Sequence, residues 1–272
     1  MGEPMCRNLA RKSGRTVVAW DLRPEIPGRL AADGVVAARS IEDLSHRAEI
    51  VFLSLPGEKE IRSVAGQLKN CVVVDCSTAP VSLARELSGS MKDFADAPVA
   101  RTRQAAIDGT LSIMVGASDA LFARIEPLLR CMASDVTHCG PPGAGQAVKL
   151  LNNMVLSITV NALAEALAVA KASGAVDPGI LFETLMKGSA DSFALRNHGM
   201  KALLPETHPE KAFPVTYMMK DVGYALDLAR SAGLRLPAGE TVFELLKETT
   251  ELGLGEAYHT AIIEAVRKRS AR

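Results

Sequence analysis

Short continuous runs of Val, Ile and Leu alternate with amphipathic segments through the first half of the chain. Such runs are typical of parallel strands buried on both faces, and the segments between them have the spacing of helices with one apolar side. Strands that alternate with helices predict βαβ units and a doubly wound α/β sheet. The predicted strands are Thr16–Asp21, Val35–Ala37, Ile50–Leu55, Val72–Asp75, Phe94–Val99, Leu111–Val115 and Val136–His138. The predicted helices between them are Pro4–Lys12, Ile41–Arg47, Glu58–Leu68, Val81–Leu87 and Ala120–Met132.

From Gly140 onward the pattern predicts helices only. Ala144–Ser173 predicts one long helix, closed by Gly174 at the C′ position. Asp177 and Pro178 have the residue types of an N-cap and a first helical turn. The further helices predicted are Ile180–Lys187, Pro214–Ala232, Gly239–Leu252 and Ala257–Arg269.

Length and composition fit two domains of ordinary size. The chain has 272 residues, of which 48% are hydrophobic, enough for a packed core in each domain. We assign residues 1–139 to the α/β domain and 140–272 to the all-α domain. The 31 basic and 31 acidic residues give zero net charge, which argues against a nucleic-acid or membrane-surface partner. The apolar run 150–164 is too short to span a bilayer, and we recognise no signal peptide.

Cysteine and histidine usage favours a cytoplasmic protein without a metal. The five cysteines form no C-x-x-C pair, and their odd number indicates reduced thiols. The five histidines are scattered and show no metal-ligand spacing. We therefore predict neither a structural nor a catalytic metal.

The stretch from Gly140 to Asn153 carries the strongest chemical signal. A turn rich in Gly and Pro opens the long apolar helix, and Lys149 and Asn153 lie at positions i and i+4 of that helix. Side chains with this spacing share one helix face. Burial among apolar residues is expected to lower the pKa of Lys149, which makes proton exchange near neutral pH feasible. The pair suits a carbonyl substrate, because the lysine can donate a proton while the carboxamide holds a neighbouring oxygen.

The amino-terminal segment indicates a dinucleotide. Gly2 opens a predicted helix, and Asp21 ends a predicted strand about 20 residues later, the spacing at which an acid accepts hydrogen bonds from the adenosine ribose. A carboxylate at this position repels a 2′-phosphate, while Arg23 could pair with one. We therefore expect NAD, with NADP as the alternative.

Five segments together resemble the β-hydroxyacid dehydrogenase family, and the resemblance covers essentially the whole chain. The family pattern G-x-x-G-x-G-x-x-x-K-x-x-x-N is matched from Gly140 to Asn153. The other segments, in the family's order, are Leu55-Pro56, Asp75-Cys76-Ser77-Thr78, Asp96-Ala97-Pro98-Val99 and Lys220-Asp221.

The resemblance implies a Rossmann-type first domain, a helical substrate or dimerisation domain, and hydride transfer between NAD(P)(H) and a small β-hydroxyacid or semialdehyde. Substrates of the 2-hydroxy-3-oxopropionate, 3-hydroxyisobutyrate and sulfolactaldehyde types are all compatible with it. It implies that Lys149 is catalytic and that Asn153 binds substrate. It further implies cofactor contacts for Gly2, Asp21, Leu55, Pro56, Ser77, Thr78 and Lys220.

The chain departs from the family pattern in two places. The family begins with a strand and G-x-x-G-x-G-x-M-G, whereas this chain begins at the Met-Gly of that run, so we expect a truncated start and a sheet lacking its first strand. The family's substrate loop continues as D-A-P-V-S-G-G, whereas here Val99 is followed by Ala100, Arg101 and Thr102. We expect Val99, Arg101 and Thr102 to contact substrate, with Arg101 offering a bidentate fork to an oxyanion.

Two other functions stay open at this stage. A non-catalytic, dinucleotide-sensing or interaction module could retain the fold without turnover, and an imine reductase could use the same scaffold. Lys149 argues against the imine reductase, because the resemblance would then lead us to expect Asp or Tyr at that position. We expect a homodimer or homotetramer, since a long apolar helix leaves surface to be covered.

Overall fold

The computed structural model describes residues 1–210 and 212–270. The chain forms two compact units, Met1–Lys149 and Leu150–Arg272. The domain boundary placed between residues 139 and 140 stays a prediction.

The first unit alternates strands and helices as predicted. Its strands are β1 (Val18–Ala19), β2 (Val36–Ala37), β3 (Ile50–Leu53), β4 (Val72–Asp75), β5 (Phe94–Asp96), β6 (Val99–Ala100), β7 (Leu111–Gly116) and β8 (Ala133–Gly140). Its helices are α1 (Gly2–Lys12), α2 (Glu25–Arg29), α3 (Ile41–Arg47), α4 (Glu58–Ala65), α5 (Val81–Ser90), α6 (Arg103–Asp108) and α7 (Asp119–Leu129). The sequence pattern did not predict α2 or α6.

The strands lie in two sheets. A parallel pair joins β1 to β2, and a six-stranded sheet has the order β3-β4-β5-β7-β6, with β8 paired to β7. Strands β3, β4 and β5 are parallel, whereas β7 is antiparallel to both β5 and β6. The single strand predicted over Phe94–Val99 is divided at Pro98, which has no N–H to contribute to a ladder.

Apolar clusters cover both faces of the larger sheet. One joins Val72 and Val74 of β4 to Ile125 and Leu129 of α7, and another packs Val73 against Ile61 of α4 and Leu83 of α5. Neighbouring residues of β4 thus point to opposite faces and are buried on both. This arrangement explains the uninterrupted valine run of that strand.

The second unit is helical, as predicted. The long helix α8 (Ala144–Ser173) begins in the first unit and continues into the second. It is followed by α9 (Pro178–Leu185), α10 (Val215–Ser231), α11 (Pro237–Thr249) and α12 (Ile262–Ser270), with π-helical segments at Leu195–Leu203 and Thr250–Leu254. The core of this unit includes Leu167, Phe182, Leu195, Met218, Leu246 and Ile263.

Local capping signals of the second unit are confirmed. Gly174 follows α8 with a φ of +62°, the left-handed conformation expected at C′. Asp177 Oδ1 accepts hydrogen bonds from the N–H groups of Gly179 (2.8 Å) and Ile180 (3.1 Å) at the start of α9. The π-helical segments were not predicted.

Helix α8 is longer than the apolar run that we considered for a membrane span. Its 30 residues have a mean hydropathy of 1.5 in the most apolar window, so by length and composition α8 could cross a bilayer. Core helices of water-soluble proteins pass the same test, and 44% of this window is buried inside the protein. The run 150–164 by itself is too short, but the whole helix is not, so the absence of a membrane partner stays a prediction.

The start of α8 packs directly against the end of the sheet. Asp96 and Gly116 face each other across β5 and β7. A Cβ atom at Gly145 would overlap the carbonyl oxygen of Met114 and lie 2.9 Å from Asp96 Oδ2. Glycine at position 145 therefore allows the helix to approach the sheet closely.

Gly145→Ala is expected to destabilise the protein by at least about 2 kcal/mol, because backbone atoms on β7 must move to admit the methyl group. The control is Gly89→Ala in α5, where a Cβ would meet nothing within 4 Å. That change should be neutral or stabilising by about 0.5–1 kcal/mol. Urea denaturation measures both free energies of unfolding, and equal values for the two variants would contradict the proposed close packing.

Candidate active site

A buried carboxylate holds the turn that precedes α8. Asp96 Oδ1 accepts a hydrogen bond from the Gly143 N–H at 2.6 Å, and Oδ2 accepts one from the Gln146 N–H at 2.7 Å. Gly143 has a φ of +94°, which favours glycine. Burial raises the pKa of Asp96 to about 6, although the two N–H donors oppose this change. The carboxylate thus satisfies donors at the amino-terminal end of α8 and interacts with its dipole.

Gln146 connects the first turn of α8 to the segment after β4. Its side chain is fully buried. The amide nitrogen donates to the Ser77 carbonyl oxygen at 2.8 Å, and the amide oxygen accepts from the Ala79 N–H at 3.1 Å. One side chain therefore makes both kinds of hydrogen bond to the same neighbouring segment.

Lys149 lies one turn after Gln146 and is buried, with 8% of its surface exposed. Asn153, four residues further along α8, is 3% exposed. Positions 146, 149 and 153 share a helix face by their spacing. The structure therefore places the predicted lysine and carboxamide on one buried face of α8.

Asn153 takes part in a polar network of the second unit. Its amide nitrogen donates to Asp221 Oδ2 at 2.7 Å, and its oxygen accepts from the side chain of Asn152 at 3.1 Å. Asp221 is buried, and its Oδ1 lies 3.4 Å from Lys220 Nζ. Asp221 therefore fixes the orientation of the Asn153 carboxamide and also contacts the second predicted lysine.

Two tyrosine rings flank Lys220. Its Nζ lies 5.7 Å from the ring centroid of Tyr217 and 5.6 Å from that of Tyr224. These distances fit cation–π contacts. The ammonium group is thus held by Asp221 on its own helix and by aromatic faces one turn to either side.

Five of the seven residues predicted to bind the cofactor follow the carboxyl ends of strands. Asp21 follows β1, Leu55 and Pro56 follow β3, and Ser77 and Thr78 follow β4. Ser77 Oγ accepts a hydrogen bond from the Leu55 N–H at 2.8 Å, so the second and third of these loops are joined. Ligands of open α/β sheets bind at this edge.

The start of α1 fits a dinucleotide phosphate. A Cβ atom at Gly2 would lie 3.2 Å from Cβ of Ser54, the residue directly after β3, so a larger residue at this position would need Ser54 to move by a few tenths of an ångström. Within the described residues, no side chain caps α1. Its first N–H groups therefore suit an anion.

Asp21 is engaged by its neighbour. Its Oδ1 accepts from the backbone N–H of Arg23 at 2.9 Å and from the Arg23 guanidinium at 3.3 Å. The carboxylate remains at the end of the β1 segment, where a ribose hydroxyl would meet it, and Arg23 stands beside it.

The three residues predicted to bind substrate in the loop after β5 have structural partners. Val99 is a half-buried residue of β6, and Thr102 caps α6 by accepting a hydrogen bond from the Ala105 N–H. Arg101 donates to the Thr110 carbonyl oxygen (2.7 Å) and to Asp135 Oδ2 (2.8 Å). An oxyanion would have to compete with Asp135 for the guanidinium, and the substrate role of all three stays a prediction.

Sequence reasoning did not assign the roles of Asp96, Gln146 and Asp221. Asp96 was noted only as the start of a loop, although an acid at the end of a buried strand is a signal for a buried carboxylate. Gln146 and Asp221 act through partners that are distant in sequence, so their roles have no local signal. Within residues 1–210 and 212–270, no group of three or more His, Cys, Asp or Glu is arranged to hold a metal.

A helix amino terminus beside strand ends, together with a buried lysine on a helix that a glycine turn opens, is the arrangement expected of a nicotinamide-dependent oxidoreductase. Two family profiles match the chain. The NAD-binding domain of 6-phosphogluconate dehydrogenase matches residues 1–140, and the NAD-binding domain of NADP-dependent 3-hydroxyisobutyrate dehydrogenase matches residues 143–266. The chain belongs to the β-hydroxyacid dehydrogenase family.

Individual relatives cover nearly all of the chain. It is 32% identical to 2-(hydroxymethyl)glutarate dehydrogenase of Eubacterium barkeri, over 97% of this chain and 91% of that protein. It is 31% identical to 2-hydroxy-3-oxopropionate reductase of Escherichia coli, over 98% of this chain and 94% of that protein. The structure of Mycobacterium tuberculosis 3-hydroxyisobutyrate dehydrogenase with L-serine superimposes with a TM-score of 0.88 at 28% identity, covering 98% of this chain and 96% of that chain. The chain is thus an NAD(P)-dependent hydroxyacid oxidoreductase, which confirms the predicted fold class, cofactor type and reaction class.

The pKa of Asp96 predicts a specific pH dependence of stability. Because the folded protein holds this proton more tightly than the unfolded chain, the contribution of Asp96 is greatest below its ordinary pKa of 3.8 and is lost as the pH rises through about 6. Between pH 4.5 and 7 the wild type should lose about 2 kcal/mol relative to Asp96→Asn, which does not titrate there.

Urea denaturation of both proteins across this range measures the difference. Asp108→Asn, at an exposed position of α6, is the control and should follow the wild type at every pH. Parallel stability curves for the wild type and Asp96→Asn would contradict the raised pKa.

Proposed function

We propose that the chain interconverts a small β-hydroxyacid and its semialdehyde, of the 2-hydroxy-3-oxopropionate, 3-hydroxyisobutyrate or sulfolactaldehyde type. The observation that carries this proposal is that Lys149 and Asn153, both buried residues, lie on the same face of α8. A carbonyl group with a neighbouring polar substituent is the substrate that such a pair can bind.

Lys149 is the proposed general acid. In reduction it protonates the carbonyl oxygen, and its charge stabilises the alkoxide that develops there. In oxidation the amine takes the hydroxyl proton back. The bound nicotinamide supplies or accepts the hydride.

The proposed orienting groups are Asn153 and Lys220. Asp221 accepts a hydrogen bond from Asn153 and lies beside Lys220, so one buried carboxylate sets the direction of both side chains. Asn153 can then contact a substrate oxygen, and Lys220 the nicotinamide end of the cofactor, without the cost of ordering its rotamer at the moment of binding.

Gly2, Asp21, Leu55, Pro56, Ser77 and Thr78 are the proposed cofactor contacts of the first unit. The N–H groups at the start of α1 would hold the pyrophosphate. We propose NAD rather than NADP, since the Asp21 carboxylate accepts hydrogen bonds from a ribose diol and repels a 2′-phosphate.

The chain is further proposed to act in the cytoplasm as a homodimer or homotetramer. The five cysteines are free thiols, which fits a reducing compartment. Val148, Leu151, Val155 and Val169 expose 41–66% of their surface on α8. A second copy that covers these residues would remove them from water, and light scattering after gel filtration measures the assembly.

Lys149→Ala is expected to lower kcat by about 10²–10⁴-fold, the usual contribution of general acid–base catalysis. NADH oxidation with the three semialdehydes measures turnover, and NADH fluorescence measures cofactor affinity, which should stay near the wild-type value. Lys171→Ala changes an exposed lysine on the same helix and is the matched control.

Near-normal turnover of Lys149→Ala would refute the catalytic role. Binding of NADH without oxidation by any aldehyde of the panel, in the wild type, would instead favour a dinucleotide-sensing module.

Asp21→Ser is expected to shift the ratio of kcat/KM for NAD and NADP about tenfold toward NADP, because a charge that repels the 2′-phosphate is removed. Glu42→Gln removes an exposed carboxylate from α3 and should leave the ratio unchanged. An unchanged ratio in Asp21→Ser would show that Asp21 does not meet the ribose.

A further inference from the structure

The first turn of α8 is attached to the β4–α5 segment by one buried amide. Gln146 has no exposed surface, and its amide donates to the Ser77 carbonyl oxygen and accepts from the Ala79 N–H. Because the amide both donates and accepts a hydrogen bond, its distance from the Ser77–Ala79 segment and its rotation are both fixed. Because Lys149 follows three residues later on the same helix face, this attachment lies within one turn of the proposed acid.

The same amide stands at the centre of a larger set of contacts. Ser77, whose carbonyl oxygen it binds, also receives the Leu55 N–H on its hydroxyl and donates its own N–H to Asp75 Oδ1. The backbone N–H of Gln146 donates to Asp96. The loops after β3 and β4 and the end of β5 are therefore all connected to the first turn of α8 through position 146.

We infer that Gln146 is a positioning residue, which fixes Lys149 relative to the Ser77–Ala79 segment that the proposed cofactor site includes. This inference rests on the proposed role of Lys149. The physical reason is that proton transfer depends steeply on distance, so a displacement of about 1 Å can lower the rate about 10²-fold without loss of the fold.

Gln146→Leu is the first test, because leucine retains much of the volume and removes both hydrogen bonds. We expect kcat to fall about 10–100-fold while KM for the aldehyde changes less than threefold. Ser45→Ala is the matched control: the Ser45 hydroxyl also donates to and accepts from one backbone segment, at Lys69, away from the site. The control should show a loss in melting temperature with unchanged kcat.

Gln146→Glu separates positioning from stability. A protonated carboxyl group has the length of the amide, and it can donate to Ser77 through its O–H and accept from Ala79 through its carbonyl oxygen. The ionised form cannot donate to Ser77. The ionisable groups near this position include Asp75, Asp96, Lys149 and Arg85, whose side chain lies against Gly143; burial and the two carboxylates favour the protonated form, while the two cations oppose it.

The ratio of kcat for Gln146→Glu to that for the wild type should therefore rise at least about fivefold from pH 8.5 to pH 6.5, whereas the ratio for Gln146→Leu should stay constant. Division by the wild-type value removes the titration of groups that do not interact with position 146, and the ratio for Gln146→Leu gives the baseline without a carboxyl group there. This comparison remains available if Gln146→Leu fails to fold.

The outcomes distinguish this inference from the proposed function. Normal turnover of Lys149→Ala would overturn both. Loss of turnover in Lys149→Ala, combined with normal kcat in Gln146→Leu and a constant ratio for Gln146→Glu, would overturn only the positioning role and leave Gln146 as a structural residue.

Discussion

The pair of hydrogen bonds from the Gly143 and Gln146 N–H groups to Asp96 is the contact on which the site of the first unit depends. It joins the end of β5 to the start of α8, 47 and 50 residues apart in sequence. Burial of a carboxylate is costly without partners, and here the helix supplies two short N–H bonds and its positive end. The raised pKa shows that desolvation still exceeds this compensation. The interaction therefore fixes geometry at some cost in stability.

The same contact explains why glycines occur around Asp96. Side chains at positions 116 and 145 would each collide with the carboxylate or with the ladder beside it, and position 143 needs a left-handed backbone. In this chain, Gly143 and Gly145 before Lys149 thus allow a helix end to pack onto a charged strand end. Replacing Asp96 by a smaller residue would leave a gap beside these glycines, and replacing the glycines by larger residues would create a clash with Asp96.

The parts of the fold that the sequence predicted are those with local causes. Ile41–Arg47, Val72–Asp75 and Ala144–Ser173 match the predicted bounds, since a cap, a valine run or a terminating glycine marks each within a few residues. The contacts that hold the site were not predicted, because Gln146 with Ser77 and Asn153 with Asp221 lie 69 and 68 residues apart. The π-helical segment Leu195–Leu203 was missed for a related reason: its extra residue per turn has no residue-type signal of the kind that marks a cap.

Side-chain caps occur on some helix amino termini of the first unit and are absent from others. In the first unit, side chains cap α3, α6 and α7 from the adjacent residue, and Asp96 performs this function for α8 from a distance. Within the described residues of the first unit, no side chain caps α1, α2, α4 or α5. Helices α4 and α5 follow β3 and β4, whose loops carry the proposed cofactor contacts, and α1 begins against the residue after β3. Uncapped N–H groups need an acceptor, and an anionic dinucleotide bound at the start of α1 would supply one there.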